Sequence, residues 1–179
     1  MFYANHIDLS KCISFEKIKS MILVTHSIIG AAVAHRSMSA PAAFIIGLAS
    51  HYIFDMVPHW HYPVPKIKKV VDGSFGKKTL TLERRLWPEF LRVVCDLGFG
   101  IGLSLAIFDG SPVVIASAVF GAVLPDLMVG LAKFYPATIL VWHDKFHRWI
   151  HTPTRLDDQH LWGITSQATL ALLFIWLFS

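Results

Sequence analysis

The chain has 179 residues, 54% of them apolar or aromatic and only 16% charged, against about 25% charged in an average soluble domain. Together with a mean hydropathy of +0.53, this excludes a disordered chain, a collagen-like fibre and a coiled coil. It also disfavours a polar nucleic-acid module, so no nucleic-acid partner is expected. The two cysteines, Cys12 and Cys95, form neither a disulfide framework nor a C-x-x-C metal knuckle. The net charge of +4 is unevenly placed, because eight of the sixteen basic residues lie between Lys66 and Arg92.

Residues 1–20 are polar and lack a strong period, which predicts a weakly ordered extension, with Met21 an alternative start. No secretory signal is legible: the apolar run begins late and carries His26. From there the chain reads as a single helical domain, 21–179, interrupted by a basic loop at about 59–87. Six apolar segments are predicted, at 21–36, 40–58, 88–108, 112–133, 136–151 and 161–178. They are too long for strands and do not alternate. Pro41, Pro112 and Pro136 stand near segment starts, Ser39 and Ser111 where N-caps belong, and Gly110 in a tight turn. Gly98, Gly100 and Gly102 suggest a close helix approach. The fold class is thus all-α, a bundle of five to six helices, membrane-embedded or membrane-associated.

A spanning helix needs about 20 mainly apolar residues. Segments three, four and six reach that length, and one and two are borderline. Segment five, with His143, Asp144, Lys145, His147 and Arg148, reads as too polar to face lipid. Positive loops stay inside, which puts the basic loop on the cytoplasmic side. Segments one, three and six then run outward from that side, two and four return to it, and five lies along it. Trp60, Trp87, Trp142, Trp149 and Trp162 fall near segment ends, as an interfacial belt or simple end packing would place them.

On that frame the chemistry-bearing residues gather at one end. His26 opens segment one, His51, Asp55 and His59 close segment two, Asp96 opens segment three, Asp126 lies late in segment four, and His143, His147 and His151 occupy segment five. Residues four apart share a helix face with Cβ atoms about 5–6 Å apart, so pairs within His51-Asp55-His59 and His143-His147-His151 can grip one ion. Residues eight apart are about 12 Å apart and cannot, so each triple holds either a bystander or a second metal. A lone histidine on an apolar helix is more often a hydrogen-bonded core residue than a ligand. A set converging at one depth is harder to explain without a cation, because buried carboxylates are costly unless compensated. The candidate metal ligands are therefore His26, His51, Asp55, His59, Asp126, His147 and His151. A mixed His/Asp set without cysteine suits zinc, with manganese or iron as substitutes. An ion there would activate water and polarise a phosphoryl or carbonyl oxygen. Asp96 or Asp126 would bridge metals or act as the catalytic base. Gly73–Thr79 lacks the spacing of a phosphate loop, and no nucleophile elbow exists.

These residues carry a resemblance. Thr25-His26-x-x-x-Gly30, Gly47-x-x-x-His51-x-x-x-Asp55-x-x-Pro58-His59, Leu124-Pro125-Asp126 and His147-Arg148-x-x-His151-Thr152 resemble the membrane-bound metal-dependent hydrolases of bacteria. More distantly, the pattern is similar to the zinc-dependent phospholipase C fold, a helical bundle whose His and Asp ligands hold a zinc cluster. The likeness covers about residues 21–155 and departs after Pro125, where Asp126 runs into Leu-Met-Val. It implies a divalent metal, most simply zinc, a small-molecule or lipid phosphoester substrate, and a place in the bacterial inner (cytoplasmic) membrane with the site on the cytoplasmic side. The alternatives are a membrane protein that binds or transports a metal ion without catalysis, and a structural protein whose polar core groups are satisfied.

Overall fold

The structure, a computed structural model, describes residues 18–20, 23–57, 62–64, 70–71, 78–79, 86–135, 137–151 and 160–179. Six helices carry the fold: α1 (Leu23–Ala34), α2 (Ala40–Asp55), α3 (Leu86–Ile107), α4 (Pro112–Phe134), α5 (Thr138–Ile150) and α6 (His160–Phe178). Four short strands pair in two antiparallel ladders: β1 (Ile18–Ser20) with β2 (Tyr62–Val64), and β3 (Val70–Val71) with β4 (Lys78–Thr79). His59, Trp60, Pro136, residues 1–17 and most of the basic loop lie outside the described residues.

The predicted punctuation works locally. Ser39 caps α2, its side chain accepting from the Ala42 amide, with Pro41 in the first turn. Ser111 occupies the N-cap of α4 without a side-chain cap bond. Gly110 turns α3 into α4 at a φ of +150°, where any Cβ would stand 2.8 Å from the His35 carbonyl.

α1 is the central helix. Ten of its twelve residues are buried, as expected of a helix apolar on all sides. It packs against α2, α3, α4 and α6, and α2 and α4 form the most extensive pair. Small residues make that intimacy possible. A Cβ on Gly47 would meet the Ala118 carbonyl oxygen at 2.1 Å, and one on Gly121 the Phe44 carbonyl oxygen at 2.2 Å. Of the glycine trio in α3, only Gly100 lies against a neighbour, Ser27 of α1; Gly98 and Gly102 meet nothing within 4 Å. The close approach therefore runs chiefly through α2 and α4, where two backbones touch directly.

Among the described residues, three helical stretches are long and apolar enough to cross a membrane: Phe90–Ile107, Pro112–Ala132 and Leu161–Phe178. α1 and α2 are shorter apolar helices. The outer surface suits lipid, with Phe90, Leu91, Phe99, Leu105, Phe120, Leu172 and Trp176 exposed.

Two expectations need correction. α5 turns Asp144 and His147 inward and shows Ile139, Trp142, Phe146 and Trp149 to the outside, so its outer face is apolar. Segment five reads as polar only when its residues are counted without regard to face. Segment six was expected to set out from the site end. Phe174, late in α6, instead meets Phe54 edge-on, ring centroids 5.1 Å apart. A helix starting beside Asp55 would carry its fourteenth residue about 20 Å away, so the C-terminal half of α6 is the part beside the end of α2.

Candidate metal centre

The site is built where α2 ends, within the angle between α1, α4 and α5. Asp55, buried at the last turn of α2, is its hub. Its Oδ1 lies 3.3 Å from His26 Nε2, and its Oδ2 lies 3.1 Å from His51 Nε2, 2.9 Å from His147 Nε2 and 3.6 Å from His151 Nε2. His147 Nε2 is also 3.6 Å from Asp126 Oδ1 and 3.1 Å from His51 Nε2. The rings of His26 and His51 stack with centroids 4.2 Å apart. Two overlapping groups, His26-His51-Asp126 and His51-Asp55-His147, hold ligand atoms within 4.8 Å of one another and could hold a metal ion.

Proton accounting shows what these atoms would offer a cation. His51 Nδ1 lies 2.7 Å from the Ala122 carbonyl. A carbonyl only accepts, so Nδ1 carries the proton, and in the neutral ring Nε2 is a bare lone pair. That lone pair points at a carboxylate oxygen and at another imidazole nitrogen. The Nδ1–H to backbone carbonyl arrangement is the usual way a protein fixes the tautomer of a ligating histidine. Among the described residues, His26 Nε2 and both Asp55 oxygens are buried without a hydrogen-bond partner of acceptable geometry, despite their short separations. Ligands at about 2.0–2.1 Å in tetrahedral array stand about 3.3 Å apart, and the separations of 2.9–3.6 Å bracket that edge.

Sequence makes this geometry in identifiable steps. His51 and Asp55 stand one turn apart on α2. Gly47, one turn earlier, lets α2 close on α4 so that His51 reaches Ala122. Pro125 sits inside α4 and cannot donate to the carbonyl of Gly121, which loosens the ladder just where Ala122 offers its oxygen and Asp126 enters the site.

The other candidates are placed as follows. Asp96 is not in either ligand group. Its Oδ2 accepts from the Leu23 amide at 2.6 Å, which satisfies an open N–H at the start of α1 and sets negative charge at the positive end of that helix. His143, the first histidine of α5, has its Nε2 3.1 Å from the Tyr52 hydroxyl, in hydrogen-bond contact. Burial, and then the neighbouring His147, hold the His143 imidazole below its ordinary range. His143 is thus the member of its triple turned away from Asp55, and His151 is the one turned towards it. The Ala122 carbonyl and the Tyr52–His143 pair are the contributions that residue spacing does not expose. The signal that points to the first is Gly47, one helical turn before His51.

The fold and site define a helical bundle with three candidate membrane spans and a buried His/Asp group able to bind a metal. Comparison with protein-family models, with curated proteins and with solved structures finds no match for the chain.

Proposed function

We propose that the protein is a metal-dependent hydrolase of phosphoesters, of phospholipid type, with its site on the cytoplasmic side of a bacterial inner membrane. The observation that carries this reading is the convergence of four imidazole Nε2 atoms and two carboxylates, with His51 Nδ1 turned to the Ala122 carbonyl and its Nε2 to the cluster. His26, His51, Asp55, Asp126, His147 and His151 would hold the ion, and the donor set favours zinc. A divalent ion supplies Lewis acidity, polarising a phosphoryl oxygen and activating water near neutral pH. Asp55 presents Oδ1 to His26 and Oδ2 to His51, His147 and His151, so either oxygen would be available to a bound ion. Asp126, on α4 beside His147, is the carboxylate positioned to take up a proton. The motif resemblance to membrane-bound metal-dependent hydrolases supports the same reading. The basic loop joins the end of α2 to the start of α3, hence the cytoplasmic assignment.

The test is metal analysis of the detergent-purified protein beside turnover of a soluble chromogenic phosphodiester, with and without added zinc. Asp55→Ala and His147→Ala should each lose metal and turnover together. Bound metal with no turnover on any phosphoester would leave a metal-binding membrane protein, and absence of metal after native purification and zinc addition would sink both readings.

A further inference from the structure

α5 is built inside out relative to a helix of a water-soluble bundle. Its buried residues are Leu140, Val141, Asp144 and His147. Its exposed apolar residues are Ile139, Trp142, Phe146 and Trp149, spaced by three, four and three, with Ile139, Trp142 and Trp149 at 71%, 70% and 80% exposure. At about 100° per residue these four fall within an arc of about 80°, centred opposite the buried four. Lys145 is exposed about 40° beyond one edge of the stripe, and Arg148, exposed as well, lies about 60° further round the helix. Arg148 is also paired to Asp144 at 2.8 Å. A helix with this pattern in water would show charges where α5 shows two tryptophans.

The chain itself says what covers that face. α4 contains a stretch long enough to cross a membrane, and only residues 135–137 separate its end from Thr138. α5 therefore begins at the depth where α4 leaves the hydrocarbon. Tryptophans flanked by lysine and arginine at that depth suit the headgroup layer, where the ring sits at the interface and the cations face anionic lipid. Contacts run inward from the stripe. Trp149 lies 6.1 Å from Phe146, and Phe146 5.5 Å from Tyr52, measured between ring centroids.

We propose that the outer face of α5 seats in the anionic headgroup layer of the membrane the protein spans, with the His/Asp cluster held on the inner face of the same helix. This rests on the membrane-spanning reading of α4. It also deepens the hydrolase reading, because the substrate class becomes the phosphoester of a lipid still resident in the bilayer.

The experiment uses the full chain with Cys12→Ser and Cys95→Ser, reconstituted in nanodiscs of three parts phosphatidylcholine to one part phosphatidylglycerol. Trp149→Cys and, separately, Ile139→Cys carry an environment-sensitive fluorophore. Lipids spin-labelled near the carbonyl should quench both labels at least twofold more than lipids labelled near the chain end, and aqueous iodide should quench them weakly. Strong iodide quenching without lipid quenching would place the face in water. Protection from both quenchers, with disulfide crosslinking between copies at Trp149→Cys, would place a second copy there; either result overturns the proposal. The readout needs neither bound metal nor turnover, so it stands or falls apart from the hydrolase reading. If that reading holds, Trp142→Ala/Trp149→Ala should lower turnover of bilayer phospholipid about tenfold and leave a soluble phosphodiester unaffected. Equal loss on both substrates would overturn the lipid-substrate part.

Discussion

Replacing Gly47 by alanine tests how the site is positioned without touching a ligand. The new Cβ would stand 2.1 Å from the Ala118 carbonyl oxygen, and real Cβ atoms essentially never come nearer than 3.0 Å, so α2 and α4 must part by about 0.9 Å there. One turn further along both helices, His51 Nδ1 reaches the Ala122 carbonyl at 2.7 Å. The same displacement stretches that bond to about 3.6 Å, beyond hydrogen-bonding range. Losing the partner that orients a ligating histidine typically lowers metal affinity 10–100-fold, and overpacking two helices costs about 1–3 kcal/mol of stability. Gly98→Ala supplies the matched control, since nothing lies within 4 Å of its Cβ. Zinc affinity by chelator competition and thermal midpoints, both in detergent, are the measurements. The expected result is weakened zinc binding and a lowered midpoint for Gly47→Ala, with neither loss for Gly98→Ala. Zinc affinity within twofold of wild type in a folded Gly47→Ala protein would refute the reasoning.

Four further outcomes are expected. His143→Ala should keep zinc affinity within about threefold of wild type, while His51→Ala should lose at least about 100-fold, because only His51 faces Asp55; chelator competition on both variants checks this. Zinc should be released as pH falls from 7.5 towards 5, since imidazoles ligate only when neutral and protons compete for each nitrogen; retention followed by metal analysis after dialysis at each pH would contradict the assignment if it stayed flat. Gly110→Ala should cost about 1–3 kcal/mol, because a φ of +150° and a carbonyl 2.8 Å from the new Cβ both oppose it; a thermal midpoint unchanged in detergent would count against it. Lys77→Cys, in a chain otherwise free of cysteine, should resist an impermeant thiol reagent in intact cells and react after lysis; ready labelling from outside would reverse the proposed orientation.

Much of the bundle is legible in the sequence because its signals are local. Proline at a first turn, serine at an N-cap and the glycine before it mark the starts of α2 and α4 to the residue, while the end of α2 falls three residues short of the expected 58. The grouping of His51 with Asp55 is equally local, being a matter of one turn. What spacing does not reveal depends on rotation about a helix axis and on a partner's surface. Asp96 reads as a catalytic candidate because it is acidic and lies at the right end, and only the structure shows one of its oxygens accepting from the first amide of α1. Gly98 and Gly102 look like Gly100, and only the neighbour Ser27 tells them apart. α5 looks polar in composition, and its outer stripe becomes visible only once its inner face is known. The Ala122 carbonyl carries no side-chain signal of its own, and Gly47 points to it only indirectly, by marking where α2 closes on α4.

The tight seat of α1 and α2 against α4 has a consequence for how the protein is made. At 12 and 16 residues these helices fall short of the about 20 that a lone segment needs to lodge in a bilayer, and they bury His26, Ser27, His51 and Asp55. Both backbones close on Ala118, Gly121 and Ala122 of α4, which are synthesised some seventy positions later. α1 and α2 therefore leave the ribosome before the surface they settle on, and a nascent chain halted after α3 should hold them in a state open to proteolysis until α4 arrives.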